Sequence, residues 1–220
     1  MPLETTLTTF EDWTLRIHAP AQKSNRVILL LHGWTGDENS MWTFARSLNP
    51  DYWMIAPRAP YALSQGGYTW RAPSANPNPH PRGWPTLAGL RPATALLADL
   101  LERWGVANDV DTKQVDVMGF SQGGAMTISF ALFYPHLVRR LGVLAGFAPH
   151  GADAFIPTRP LEGKPVFVTH GTLDEMVPID LARYSVQLLE DAGAHITYCE
   201  AEVGHKVSAD CRKALEQFFA

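Results

Sequence analysis

Val117-Met118-Gly119-Phe120-Ser121-Gln122-Gly123-Gly124-Ala125-Met126 runs from an apolar strand through Gly-x-Ser-x-Gly into an apolar helix. This is the pattern of a nucleophile elbow, a strand-to-helix turn so tight that its flanking positions lack side chains and the central serine is lifted off the sheet. The five-residue pattern alone arises by chance in roughly one chain in fifteen of this length, given Gly and Ser at ordinary frequencies. Its context makes it specific. Gln114 to Met118 reads as a short buried strand, and Gln122 to Tyr134 places Ala125, Met126, Ile128, Ala131 and Leu132 at helical spacings, with no proline before Pro135. The competing reading is a serine in a glycine-rich turn with no chemistry.

Outward from the elbow, short apolar runs alternate with longer helix-period segments. The runs are Trp13 to His18, Val27 to Leu31, Tyr52 to Ala56, Val115 to Met118, Leu141 to Leu144, Val166 to Thr169 and His195 to Cys199. Helices are expected near Ser40 to Leu48, Pro92 to Trp104, Gln122 to Tyr134, Ile179 to Ala192 and Ser208 to Phe219. That alternation predicts an α/β fold, a mostly parallel central sheet with helices on both faces. The 220 residues fit one domain, 1–220, with no separate cap domain. Residues 57–92 break the rhythm, being dense in proline, glycine and aromatics without a periodic segment. They read as a long loop, stiffened between Pro73 and Pro81, that folds over the face carrying Ser121; a structural wrap along the sheet edge is the alternative.

The formal charge is −4, with 18 basic and 22 acidic residues interleaved, so there is no basic stripe of the kind a phosphate backbone requires and no nucleic-acid partner is expected. Met1 to Thr5 carries neither a positive n-region nor an apolar core, and no apolar run approaches a membrane span. A soluble cytoplasmic protein without membrane insertion is expected. Cys199 and Cys211 have no metal-site spacing around them and read as a reduced pair in that compartment. No metal and no organic cofactor is implied, and nothing in the sequence sets the oligomeric state.

A serine hydroxyl needs an imidazole to take its proton and a carboxylate to hold that imidazole in one tautomer. In an open parallel sheet, groups just past the carboxyl ends of the strands converge on one rim. Asp174 stands there, after Val166-Phe167-Val168-Thr169, with Glu175 as its local rival. His205, in Val203-Gly204-His205-Lys206, lies between the last strand and the last helix, and completes the chain order Ser, Asp, His. His32 and His170 precede glycines at strand ends and read as structural donors to loop backbone. A developing oxyanion needs two donors. The amide of Gln122 opens the helix after the serine, and the amide of Trp34 lies in Leu31-His32-Gly33-Trp34-Thr35-Gly36-Asp37, which leaves a strand and turns over the same rim.

Together, Leu-His-Gly-Trp-Thr-Gly-Asp, Gly-Phe-Ser-Gln-Gly-Gly-Ala-Met, His-Gly-x-x-Asp-x-x-Val-Pro and Gly-His resemble the α/β-hydrolase superfamily. Within it, the chain is similar to the phospholipase/carboxylesterase group that includes acyl-protein thioesterases and small bacterial esterases. The resemblance extends from about Val27 to the C-terminus. It implies an α/β-hydrolase sheet, a Ser121, Asp174, His205 triad and an oxyanion hole from Trp34 and Gln122. Gly66-Gly67-Tyr68-Thr69-Trp70 resembles a segment of bacterial esterases in the group, which implies a place beside the pocket. Trp34 stands where thioesterase members usually carry a small or aliphatic residue. The expected function is a serine carboxylesterase acting on small acyl esters of short to medium chain through an acyl-enzyme. Trp34, Tyr68, Trp70, Met176 and Val177 are the candidate apolar pocket residues. An acyl-protein thioesterase or lysophospholipase is the alternative within the class, and a non-catalytic ligand receptor on the same fold is the alternative outside it.

Overall fold

A computed structural model describes residues 3–73 and 84–220. The chain enters through an antiparallel pair, β1 (Thr6–Phe10) and β2 (Trp13–His18), then β3 (Val27–Leu31), a short α1 (Trp42–Ala45) and β4 (Trp53–Pro57). A two-stranded hairpin follows, β5 (Tyr61–Ala62) and β6 (Tyr68–Thr69), and then α2 (Leu87–Asn108). In the remainder strands and helices alternate except between β8 and β9: β7 (Val115–Phe120), α3 (Gln122–Phe133), β8 (Val138–Leu144), β9 (Pro165–Gly171), α4 (Ile179–Asp191), β10 (His195–Ala201) and α5 (Ala209–Phe218). Short 3-10 turns occupy Pro135–Leu137 and Ala152–Thr158.

Eight strands form one sheet in the order β1-β2-β4-β3-β7-β8-β9-β10, parallel from β4 to β10, with β2 antiparallel to β4. From β3 the chain first steps to β4 on one side, then crosses to β7 on the other. The loops leaving β3 and β7 therefore part in opposite directions, opening a crevice at the carboxyl ends of those two strands. Leu31 of β3 is paired with Gly119 of β7, so the segments beginning at His32 and at Phe120-Ser121 start side by side. Likewise Ala201 is paired with Gly171, so the loops after β9 and β10 leave together.

Burial on both faces explains the uninterrupted apolar strands. Val27, Leu29 and Leu31 point into one core with α2 and α3 residues such as Leu97, Leu101, Met126 and Phe130, while Ile28 and Leu30 point into a second with Met41, Phe44, Leu215 and Phe219.

Three expectations change. The helix expected from Pro92 begins at Leu87, because Thr86 caps it by accepting the Gly89 amide and Leu87 and Leu90 are buried; Pro92 lies inside it. Residues 57–92 are not structureless, since they contain the β5–β6 hairpin and the first turn of α2; the stiff Pro73-to-Pro81 run lies, from residue 74 onward, outside the described residues. Cys199 and Cys211 are not a reduced pair. They form a disulfide, with Cα atoms 5.7 Å apart, because α5 folds back against β10 and brings the buried Cys211 under the strand.

Candidate active site

Ser121 sits at φ 55°, ψ −116° between β7 and α3. A non-glycine residue at positive φ is strained, and it persists where its surroundings over-determine it. Here the Ser121 amide donates to the Leu144 carbonyl at 2.8 Å, and its own carbonyl accepts from Gly124 and Ala125. The flanking glycines are required by contact. A Cβ on Gly119 would lie 2.1 Å from the Gly123 oxygen, and one on Gly123 would lie 2.0 Å from the Leu31 oxygen.

Asp174 lies in the first turn after β9, its carboxylate out of contact with solvent. Its Oδ1 accepts the amides of Met176 and Val177, each at 2.9 Å, which locks the carboxylate to its own loop. Its Oδ2 faces His205 Nδ1 at 2.6 Å. A carboxylate only accepts, so Nδ1 carries the proton and Nε2 is left with the lone pair. The rival Glu175 is exposed. His205 stands in the loop after β10, its ring 4.9 Å from that of Phe120, the residue preceding Ser121. The two loops are joined by the Thr172 amide to Ala201 and the Leu173 amide to Val203.

The turn after β3 closes the other side. A Cβ on Gly33 would come within 3.5 Å of the Ser121 Cβ, so the segment leading to Trp34 abuts the serine. The turn is closed by the Gly36 amide to the Gly33 carbonyl, with Thr35 at φ 64°. The amide of Gln122 is among the first N–H groups of α3, which have no acceptor within their own helix. His32, 1% exposed, accepts the Ala59 amide at Nε2 (3.0 Å) and donates from Nδ1 to the Gly33 carbonyl (2.7 Å). Burial holds its pKa below the ordinary imidazole value.

The five candidate pocket side chains separate. Trp34 and Met176 are 53% and 63% exposed beside the site. Val177 is buried, and its carbonyl accepts His170 Nε2 at 2.8 Å. The Tyr68 ring lies under the Arg58 guanidinium, 4.7 Å away. Trp70 is fully buried rather than open to a ligand, and its indole donates to the His32 carbonyl at 2.8 Å. One supporting group escapes sequence reasoning, the Gln122 carboxamide, which reaches back to the β6 strand. His170 is a structural donor to loop backbone, as the sequence reads it, and its Nε2 also lies 3.3 Å from Asp174 Oδ2.

Among the described residues no group of His, Cys, Asp or Glu side chains is arranged to hold a metal, and no helix is long and apolar enough to cross a membrane. A surface groove bordered by Val106, Asp109, Thr112 and Tyr134 contains none of the residues at the serine.

A mostly parallel eight-stranded sheet with helices on both faces and a strand-serine-helix elbow after β7 is the α/β-hydrolase fold. The chain belongs to the phospholipase/carboxylesterase family, whose model matches residues 13–220. It is 31% identical over 119 residues to the carboxylesterase SOBER1 of Arabidopsis thaliana, covering 51% of this chain and 50% of that protein. It is 29% identical over 183 residues to acyl-protein thioesterase 1 of Eremothecium gossypii, covering 74% and 72%. The matched stretch thus spans about half the length of the first relative and nearly three quarters of the second. Among solved structures, the carboxylesterase of Mesorhizobium loti superimposes with a TM-score of 0.80 at 20% identity, covering 97% of each chain, a likeness of fold.

Proposed function

We propose that this protein is a serine carboxylesterase, with residues 1–220 acting as one catalytic unit. The observation that carries the reading is the Asp174–His205 pair at 2.6 Å, with the imidazole against the residue preceding the strained Ser121. In the proposed cycle His205 Nε2 takes the Ser121 proton as Oγ attacks the acyl carbon. The tetrahedral oxyanion is received by the amides of Trp34 and Gln122, and His205 returns the proton to the departing alcohol. Water then repeats the sequence on the acyl-enzyme, restoring Ser121 and releasing the acid. No step calls for a metal or organic cofactor.

The substrate class is small acyl esters of short to medium chain, with Trp34 and Met176 as the exposed apolar groups against which an acyl chain packs. A thioester reading is favoured by the relative named acyl-protein thioesterase 1. Hydrolysis of p-nitrophenyl esters from acetate to palmitate, with a long-chain acyl thioester alongside, separates the two. Serine-dependent turnover peaking at short to medium chains supports the carboxylesterase, and turnover confined to the thioester supports the second reading. Saturable ligand binding without turnover replaces both with a receptor. A cytoplasmic site of action is proposed with this reading, and the Cys199–Cys211 bridge weighs against it, because disulfides are rare in a reducing cytosol. Cell fractionation decides that point.

A further inference from the structure

Both proposed oxyanion donors, Trp34 and Gln122, are attached to one small element that belongs to neither loop. Gln122 is 7% exposed, and its side chain turns away from the serine: Oε1 accepts the Trp70 amide and the Thr69 hydroxyl, each at 3.1 Å. On the other side, the Thr35 amide donates to the Tyr68 carbonyl at 3.0 Å and the Tyr68 amide donates to the Gly36 carbonyl at 3.1 Å. These two bonds continue the β5–β6 hairpin onto the turn that contains Trp34. The Trp70 indole donates to the His32 carbonyl and lies tilted against the His32 ring, centroids 5.1 Å apart, and that ring in turn holds the Gly33 carbonyl. Gly67, at φ 74°, presses so closely on this turn that a Cβ there would lie 2.0 Å from the Thr35 oxygen.

We infer that the β5–β6 hairpin is the brace of the oxyanion hole, and that Gln122 through its carboxamide, Trp70 through its indole N–H and Gly67 through its lack of a side chain are positioning residues for the two donor amides. The inference rests on the serine esterase reading above. Its physical basis is that the two donors come from different loops with no backbone bond between them, while an oxyanion hole works only if both stand about 2.7–3.1 Å from one oxygen position. A donor turn with Thr35 in the left-handed region does not hold itself; bonds from outside must fix it. Misplacement of about 1 Å costs on the order of 100-fold in rate. The Arg58 guanidinium supports the hairpin from its outer side, lying over Tyr68 while making a two-point ion pair with the buried Glu38 at 2.8 and 3.0 Å.

The test uses the full chain with Gln122→Met, which keeps length and removes the acceptor, Trp70→Phe, which keeps a ring and removes the N–H, and Gly67→Ala. Each is measured for kcat and KM on a p-nitrophenyl ester and for inhibition by an alkyl trifluoromethyl ketone, whose adduct with a serine carries a tetrahedral oxyanion. Binding of the matching non-electrophilic alkane ketone serves as the ground-state control. The expected result is a fall in kcat of about 10- to 100-fold with KM changed less than about twofold, and a matching loss of affinity for the trifluoromethyl ketone alone. A merely structural role would move the melting temperature and leave the ratio of the two inhibitor affinities unchanged, and that result overturns the inference. If one variant does not fold, the other two decide in the same way. Ser121→Ala run in parallel separates the two claims: full activity in that variant sinks the esterase reading and the brace with it. An inactive Ser121→Ala beside brace variants of normal kcat and normal trifluoromethyl ketone affinity sinks the brace alone.

Discussion

Asp174 Oδ2 lies 2.6 Å from His205 Nδ1, and Asp174 Oδ1 is already committed to the amides of Met176 and Val177. The carboxylate therefore has one fixed orientation, and that orientation dictates which imidazole nitrogen keeps its lone pair. Asp174→Asn retains the shape but presents an N–H where an acceptor is needed or turns the amide against its own loop. Turnover is expected to fall on the order of 10⁴-fold with little change in the unfolding midpoint. Steady-state kinetics beside a urea melt checks this. Near-normal turnover would transfer the role to another acid, with Glu175→Gln the next variant.

His32 and His170 are each 1% exposed, and burial holds both below the ordinary imidazole pKa. In the unfolded chain each titrates near about 6.5, while the folded protein resists protonation until the pH is lower. Between those values the unfolded state binds more protons, so stability falls as pH falls through this window and is unaffected above it. Each histidine contributes a slope of up to about 1.4 kcal/mol per pH unit. Urea midpoints from pH 7.5 to pH 5 should decline from about 6.5 downward, and His170→Gln should flatten part of that decline. An unchanged slope in that variant removes His170 from the account.

The Cys199–Cys211 bridge closes the segment that contains His205. Twelve residues of separation correspond to about 3 kcal/mol of unfolded-state entropy in the chain-closure model. Reduction, or replacement of both cysteines by serine, is expected to lower stability by about that amount, read from the urea midpoint. Titration of the denatured protein without reductant should find no free thiol; two thiols per chain would contradict the bridge.

At the amino ends of the strands, away from the serine, a wholly buried Asp116 carries an unusual load. Arg139 binds both its oxygens at 2.8 and 2.9 Å, Arg140 reaches it at 3.1 Å, and the Tyr52 hydroxyl donates at 2.5 Å. Arg140 and Arg26 also hold the carbonyls of Phe218 and Phe219, so the cluster fastens the end of α5 to the sheet. Asp116→Ala leaves arginine charge uncompensated and is expected to cost about 3–5 kcal/mol while kcat of the folded fraction stays at the wild-type value. Denaturation curves and active-site titration separate the two effects.

Gly123→Ala should abolish the elbow, since its Cβ would lie 2.0 Å from the Leu31 oxygen and neither backbone can retreat without breaking the β3–β7 pairing. Absence of soluble folded protein, or folded protein without activity, is the expected outcome of expression and assay. Wild-type activity would show that the turn is looser than its geometry.

Periodicity located β3, β4, β7, β8 and β9 because these strands are buried on both faces, a constraint that writes itself into consecutive residues; the half-exposed edge strand β10 was located as well, as the run His195 to Cys199. It missed β1 and the β5–β6 hairpin. The half-exposed Thr6–Phe10 strand is held by pairing with β2, and two-residue strands such as Tyr61–Ala62 and Tyr68–Thr69 are too short to show a period. The start of α2 was misread because Pro92 is a louder local signal than the Thr86 cap.

By itself the sequence determined the buried strands of the sheet, the elbow at Ser121 and the positions of Asp174 and His205 in the loops past strand ends, since each is a local demand: glycines where Cβ atoms collide, apolar runs where both faces are covered, polar residues just past strand ends. Only the tertiary structure decided which Asp174 oxygen meets His205, that Trp70 is a buried donor to His32, that Gln122 grips the β6 strand and that Cys199 meets Cys211. Those are contacts between residues far apart along the chain or set by side-chain direction, and they exist only once strand register and helix docking have placed their partners within a few ångströms.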